Sequence, residues 1–582
     1  MVRSARWQSA AAILVLATAV SACASPAPST PSGGARSQEA SQQPQRTKTV
    51  TIGVTARVGS MGNMGDSTTV GGWTSTNEIH SAGLVSADIQ THAPVGRLAE
   101  RVPTIENGGI TLLPDGRMRV VYPVRKGVTW HDGMPFTAHD LAFSFPVNRE
   151  GGLPNNTKDA VNLMDSAEAS DDFTFVVTFK QPYYIGGTMG PRYFWPQPKH
   201  LLEPAYEKFL ESKDADDFLN IPYWTSGYVH AGPFRLTEFD PGAGVTFRAY
   251  DGYFLGRPKL DVVRVQLFAD GQTLVSNMLA GAVDTNMEST LSPDMGVAFE
   301  GNPAFTVYHV YVSHRFLAPQ WRPSVQIEQA NLDVRVRAAL YHALDREALA
   351  EALQNGHREQ AAWEILHPDD VLYPAVKDMF RPYAYDPEKA KAILRDVGWT
   401  PGSDGVFRNN ADGRRFRNSI SATDLTVRDM PAFTSYWRQI GMDVEEIATP
   451  AAQVRNPEYR ASYPGWEVTS QSGSDGILGK IEGPASSAQT RWVGNRGGYE
   501  DARAQQLVNA YRGTLTERDK FQAMKAVGDF IGAELQFLPL FWTVDPIPVR
   551  KGVKAMDDVT GAEGGGRPFG SYTRNAHLWD LE

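Results

Sequence analysis

Arg125-Lys126-Gly127-Val128-Thr129-Trp130-His131-Asp132-Gly133-Met134-Pro135-Phe136-Thr137-Ala138-His139-Asp140 is the most informative stretch of this chain. Taken residue by residue it is a polar turn. His131 and His139, with Asp132 and Asp140 beside them, come nearest to metal-ligand spacing, but four such residues in a polar turn have an ordinary structural reading. Just before it, residues 110–113 and 118–122 flank Pro114-Asp115-Gly116-Arg117, a turn sequence that predicts a hairpin. Residues 173–179 and 262–268 read as further strands. Residues 48–54, β-branched and alternating, read as the first strand. A Gly-rich irregular segment at 59–72 and a helix over 74–85 follow that strand.

Further along, strand and helix signals interleave, which predicts an α/β body. Asp386-Pro387-Glu388 offers a cap, a proline at the first helical position and an acid in the first turn, and Gly398 closes that helix. Thr516-Glu517-Arg518-Asp519 has the form of a capping box, followed by Phe521, Met524, Val527 and Ile531 at helical spacing. Leu340, Leu344 and Leu353 mark a third helical region, with Asp345 as a cap inside it. These apolar stripes read as core. No internal repeat is present.

At 582 residues the chain exceeds one ordinary core, so two or three lobes are expected. Hydrophobic residues at 42% and charged residues at 21% fit a globular protein. A formal charge of −10 speaks against a nucleic-acid partner, which needs a basic surface. At the N-terminus, Arg3 and Arg6 precede an apolar run at 10–20 and then Val20-Ser21-Ala22-Cys23, the pattern of an export signal over 1–22. The run is too short for a permanent membrane span. Cys23 is the one cysteine in the sequence and stands where a lipoprotein signal places the lipidated residue, which predicts an anchor in the cell membrane. Residues 23–46, rich in Ser, Pro, Gly and Gln, read as a flexible tether.

The chemistry-bearing motifs are mostly missing. There is no P-loop, no dinucleotide fingerprint after a strand, no G-x-S-x-G elbow, no S-x-x-K and no H-E-x-x-H. The 12 histidines are scattered. A binder is favoured over an enzyme, and no cofactor is implied.

The quoted stretch resembles the "RKGVxFHDGxPxTAxDV" text of the bacterial extracellular solute-binding protein family 5, which includes oligopeptide-, dipeptide- and nickel-binding proteins. Ala231-Gly232-Pro233-Phe234-Arg235-Leu236 is similar to its "GTGPYKL", and residues 251–261 to its "NPDYWGGKPKLD". Residues 278–284 are similar to "LLAGEID", residues 333–346 to "DVRVRQALAYAIDR", and Leu538-Pro539-Leu540-Phe541 to "LPLIPLY". Tyr385 to Lys391 and Gly398-Trp399 continue the series. The matches run in family order over nearly the whole mature chain.

The resemblance implies an α/β type II periplasmic-binding-protein fold: two hinged lobes, with an extra domain inserted in lobe I. Lobe I is expected at 47–94, 226–285 and 540–582, the inserted domain at 95–225 and lobe II at 286–539. It implies a monomeric, extracytoplasmic receptor that closes on an oligopeptide or peptide-like solute and delivers it to the permease of an ABC importer. Two readings of other classes stay open: a metal, metallophore or oligosaccharide binder of the same fold, and an extracellular lipoprotein hydrolase.

In peptide-binding members, an aspartate in a "W-x-x-D-x-x-D-P"-like segment pairs with the peptide ammonium. The matching stretch runs from Trp466 through Gln471, Ser472 and Asp475. Asp475 matches the later aspartate, whereas the ammonium-binding position falls near Ser472 or Gly473 and carries no carboxylate. A buried ammonium without a paired charge is costly, so a free peptide N-terminus is in doubt as the anchored group, with Glu467 as a substitute. Trp466 is expected at the cleft wall. Trp73, Asn77 and His80 follow the first strand, where lobe I faces the cleft, with Tyr184 and Trp224 as further candidates. Arg491 and Arg496 are candidates to grip a ligand carboxylate through forked hydrogen bonds, against the alternative of an arginine bridging to an acid within lobe II.

Overall fold

The computed structural model describes residues 47–55, 58–64, 74–88, 91, 93–154, 158–368, 370–423, 426–454, 456–471, 473–490, 492, 494–556 and 573–582, with side chains left aside at 74, 158, 159, 312, 451, 474 and 475. The export signal, Cys23 and the tether lie outside the described residues.

Three sheets organise the rest. Thr49–Val54, whose Val50, Ile52 and Val54 are fully buried, runs parallel to Val262–Leu267 on one side and Thr285–Asn286 on the other. The antiparallel strands Gly244–Ala249 and Phe234–Asp240 complete this first sheet. The expected hairpin is present as Ile110–Leu112 with Met118–Pro123, and Thr174–Phe179 and Met164–Asp171 extend it into a four-stranded antiparallel sheet with its own core around Val120, Phe175, Val177 and Trp130.

The other five-stranded sheet has the order Asp443–Ala448, Arg417–Ala422, Trp466–Gln471, Phe305–Pro319, Leu538–Arg550. Helices pack on it where the sequence punctuates them. Pro387–Asp396 is capped by the Asp386 carboxylate, which accepts from the Lys389 N–H at 2.8 Å, and Gly398 beyond it takes φ +92°. Thr516 caps Glu517–Glu534, its hydroxyl accepting from the Asp519 N–H at 3.1 Å. The leucine region resolves into two helices, Val334–His342 and Arg346–Leu353, because Asp345 caps the second through the Ala348 N–H at 3.0 Å.

Two long strands join the lobes. Phe305–Pro319 and Leu538–Arg550 pair antiparallel from Phe305 opposite Arg550 to Leu317 opposite Leu538, with register shifts at Tyr311/Ser313 and Arg315/Phe316. At one end Phe316, Leu317, Leu538, Leu540 and Phe541 enter the core of the second lobe. At the other, Val310, Ile547 and Val549 enter the core of the first. The chain thus passes between the two cores within continuous strands. The segment before the first of these strands also stays with the first lobe: Leu291 and Phe299 pack with Leu274 and Met278 of the helix Gly271–Leu279.

The helix expected over 74–85 is a 3-10 turn, Thr74–Thr76, and one turn of α-helix, Asn77–His80, before the strand Val85–Ala87. It stops because other chain segments pass too close. A Cβ on Gly232 would lie 2.2 Å from the His80 carbonyl carbon and 2.4 Å from the Ser81 nitrogen. The glycine of the Ala231-Gly232-Pro233 text is thus required by the backbone beneath it.

Candidate functional site

The strand Trp466–Gln471 lies between Arg417–Ala422 and Phe305–Pro319. Its partner residues run from Pro319, opposite Trp466, to His314, opposite Gln471, so its carboxyl end is directed towards the first lobe. In open α/β sheets, ligands gather outside the carboxyl ends of strands. A cavity of about 460 Å³ sits there, lined by Thr469, Ser470, Gln471, Arg460, Lys480 and Arg496, with Val454, Pro457, Gly479, Trp492 and Gly494 completing the wall.

Each charged group is placed by local structure. Arg460 sits on the short helix Pro457–Ala461, capped by Asn456, which accepts from the Tyr459 N–H at 3.1 Å. Lys480 lies in the last turn of Gly473–Ile481. Arg496 follows Asn495, whose amide donates to the carbonyls of Lys480 at 2.7 Å and Tyr499 at 3.2 Å and so fixes the loop. Side chains of period two divide the strand: Trp466 and Val468 enter the core, while Glu467 and Thr469 face the arginines.

Glu467 is the acid of this cluster. One oxygen accepts from Arg460 at 2.7 and 3.2 Å, and the other from Arg496 at 3.1 Å. Arg496 also donates to the Thr469 hydroxyl at 3.4 Å. Burial lowers the Lys480 ammonium to a pKa of about 8, with the Arg496 charge adding to the effect and Glu467 opposing it.

Behind the strand, Arg315 donates to the Ser470 hydroxyl and pairs with Asp429 at 2.9 Å. Arg428 then reaches from Asp429, at 3.5 Å, to Asp294 of the first-lobe helix Pro293–Gly296, at 3.2 Å. The strand at the cavity is thus linked by charge to the other side of the molecule. Asp545, on the crossing strand, accepts from the Ser289 N–H, and burial raises its carboxyl to about 6.

Several expected site residues lie elsewhere. Trp466 is fully buried, edge-on to Trp437 at 5.3 Å in the second-lobe core, and is not at a cleft wall. Its strand is central, so every second side chain is covered by helices. His80 is fully buried, stacked on Phe247 at 5.2 Å, because the one-turn helix carries it into the first-lobe core. Trp224 is also core, its indole N–H donating to the Phe218 carbonyl at 2.7 Å. Tyr184 reaches the second lobe, edge-on to Tyr511 at 5.2 Å and beneath Lys520 at 4.3 Å. Asn77 is half-buried, its carbonyl accepting from the Ser81 hydroxyl at 2.7 Å.

Gln471 and Arg496 do line the cavity, and Arg496 at the same time bridges to an acid of its own lobe. Glu467, the substitute ammonium anchor of the sequence reading, has its two oxygens paired with the guanidiniums of Arg460 and Arg496. A Cβ on Gly476 would fall 2.1 Å from the Gln471 amide nitrogen, so this glycine makes room for Gln471 to fold over the helix. Trp73, Ser472 and Arg491 lie outside the described residues, as does the side chain of Asp475, whose backbone is in Gly473–Ile481. Sequence reasoning passed over Arg460 and Lys480. The Asn456-Pro457 cap-and-proline pair was the available signal for the helix that carries Arg460.

The His/Asp stretch is dispersed. Asp140 caps the helix Ala138–Arg149, accepting from the Thr137 N–H at 2.9 Å. His139 meets Asp172 at 3.2 Å, Asp132 meets His200 at 2.7 Å, and His131 lies 3.0 Å from the Gly232 carbonyl. Among the described residues no group of three or more His, Cys, Asp or Glu is arranged to hold a metal ion, and no helix is long and apolar enough to cross a membrane.

Two α/β lobes joined by a double strand, with a further sheet on the first and a polar cavity at a strand end, are the parts of a type II periplasmic-binding-protein fold. Residues 94–477 match the model of the bacterial extracellular solute-binding proteins, family 5 Middle. The chain belongs to that family.

Over 275 residues it is 29% identical to a Brucella ovis protein that carries a provisional ABC-transporter peptide-binding name, covering 46% of this chain and 47% of that one. The chain thus spans about half the length of the curated relatives it matches first. Among solved structures, the oligopeptide-binding protein of Thermus thermophilus, complexed with a pentapeptide, superposes with a TM-score of 0.71 at 22% identity, covering 92% of this chain and 98% of that one. NikZ of Campylobacter jejuni, in complex with Ni(L-His), superposes with a TM-score of 0.72 at 19% identity, covering 91% and 99%.

Proposed function

We propose that this chain is the extracytoplasmic solute-binding subunit of an ABC importer, anchored through lipid on Cys23, and that it captures an oligopeptide or peptide-like solute by closing two lobes. The observation that carries this reading is the pair of continuous strands Phe305–Pro319 and Leu538–Arg550, which cross between two separate cores beside a polar cavity at the end of Trp466–Gln471. A receptor needs two bodies that pivot and a wet site whose contacts are completed on closure. The cores support a partition into lobe I, an inserted domain near 95–225 and lobe II, with the crossings inside the long strands. Solved structures of this fold are described with a pentapeptide and with a nickel–histidine complex, which fits a receptor whose solute differs from member to member.

The test is mass spectrometry of solute co-purified with the protein, followed by release and rebinding. A solute recovered unchanged and rebound reversibly is expected. A solute consumed by the purified protein overturns the receptor reading. Membrane release of the Cys23→Ala variant is the expected sign of the lipid anchor, and an unchanged membrane fraction removes it.

A further inference from the structure

We propose that the cavity at the end of Trp466–Gln471 is an anion subsite, which takes a carboxylate of the bound solute between Lys480, Arg496 and Arg460. The proposal rests on the receptor reading and names the chemistry of its solute.

Charge balance is the first argument. Among the described residues three cations line this cavity and one carboxylate, Glu467, lies behind it with both oxygens engaged by Arg460 and Arg496. Lys480 is left over. Among the described residues none accepts a hydrogen bond from its ammonium, which lies 5.6 Å from the centre of the Phe316 ring. Burial and the neighbouring guanidinium both disfavour its charge, as its lowered pKa of about 8 records. An incoming anion relieves that penalty, because opposite charge favours the protonated amine. A ligand ammonium would meet the reverse: among the described residues, a net positive wall with no acid free to receive it.

The geometry fits the same chemistry. Thr469, Ser470 and Gln471 add polar side chains around the cations. About 460 Å³ holds the end of a solute or one side chain and leaves the remainder to the space between the lobes. The Arg315–Asp429–Arg428–Asp294 chain of ion pairs starts at Ser470, so charge placed in the cavity acts next to groups that span the two lobes.

The experiment uses the full chain and four probes in calorimetric titration: alanine pentapeptide as the free acid, as the C-terminal amide and as the N-acetyl acid, and citrate as a non-peptide carboxylate. The free and N-acetyl acids are expected to bind alike, and the amide at least about tenfold more weakly. Lys480→Met is expected to remove that acid-over-amide difference and Lys480→Arg to restore it. Because no acid among the described residues pairs with Lys480, the Met variant orphans no described carboxylate. Acid and amide binding equally to the native chain overturns the anion subsite and leaves the peptide receptor standing. Citrate binding that depends on Lys480, with no peptide bound, keeps the subsite and overturns the peptide reading. Affinities unmoved by Lys480→Met overturn the subsite, and failure of all four probes overturns both.

Discussion

Acidification probes the cluster of buried histidines shared by the first lobe and its added sheet. His80 lies 5.2 Å from Tyr228, Tyr228 lies 6.0 Å from His230, and His230 lies 5.4 Å from Trp130. Burial, as the largest cause, lowers His80 to about 3 and His131 to about 4, and takes His230 well below its ordinary value. His230 also needs a bare Nδ1, which accepts the Ala231 N–H at 2.8 Å. An unfolded histidine titrates near 6.5, so below that pH the unfolded chain takes up protons that the folded rings refuse. The contribution of each ring is complete above pH 6.5 and is lost as pH falls towards its folded value, about 4 for His131 and about 3 for His80. At pH 5 the loss is about 2 kcal/mol per ring. Glu364, raised to about 7 by burial, and Asp545, raised to about 6, work in the opposite direction, since the fold binds their protons first.

One ring is therefore read by difference. His80→Phe keeps an aromatic face stacked on Phe247 and removes the titration. Between about pH 7.5 and pH 5, the native chain is expected to lose about 2 kcal/mol more than the variant in urea unfolding followed by tryptophan fluorescence. Equal losses in the two proteins refute the argument that His80 is held neutral by burial.

Two further outcomes follow from the second lobe. Glu467→Gln leaves Arg460 and Arg496 facing each other across a site where the acid is only 6% exposed, and it is expected to cost about 3 kcal/mol in urea denaturation; a stability within 1 kcal/mol of native, on the order of a surface pair, shows that solvent already screens the cluster. Trp466→Ala empties a fully buried position and is expected to cost about 3–5 kcal/mol while leaving solute affinity intact in the folded fraction. Affinity lost with stability retained returns the ring to the site.

Local rules were legible in the sequence wherever a single residue type settles them. Asp386, Thr516 and Asp345 cap the helices they were expected to cap, because a carboxylate or hydroxyl before a helical stripe has few other uses. Thr49–Val54 forms the first strand because β-branched residues alternate there. The site was less legible. Arg460, Lys480 and Arg496 come from three separate elements, and nothing local to any of them announces the convergence. Trp466 was misplaced for a related reason: a tryptophan beside polar residues suits a binding wall as well as a central strand, and the helices that cover it decide between the two. The crossing strands read as ordinary segments because Tyr308, His309, His314 and Arg315 interrupt their apolar run.

The ladder between Phe305–Pro319 and Leu538–Arg550 has a mechanical consequence. From Phe305 to Ser313 the ladder lies outside the stretch paired with Trp466–Gln471, and two-stranded ribbons carry a larger twist than wider sheets. The register irregularity at Tyr311/Ser313 interrupts the regular bonding before the third strand joins, whereas that at Arg315/Phe316 lies where Trp466–Gln471 is already paired. Arg315 is held between Phe541 and Ser470, so twisting of one lobe against the other is expected to concentrate nearer Tyr311/Ser313, just beyond the end of the strand that leads to the cavity.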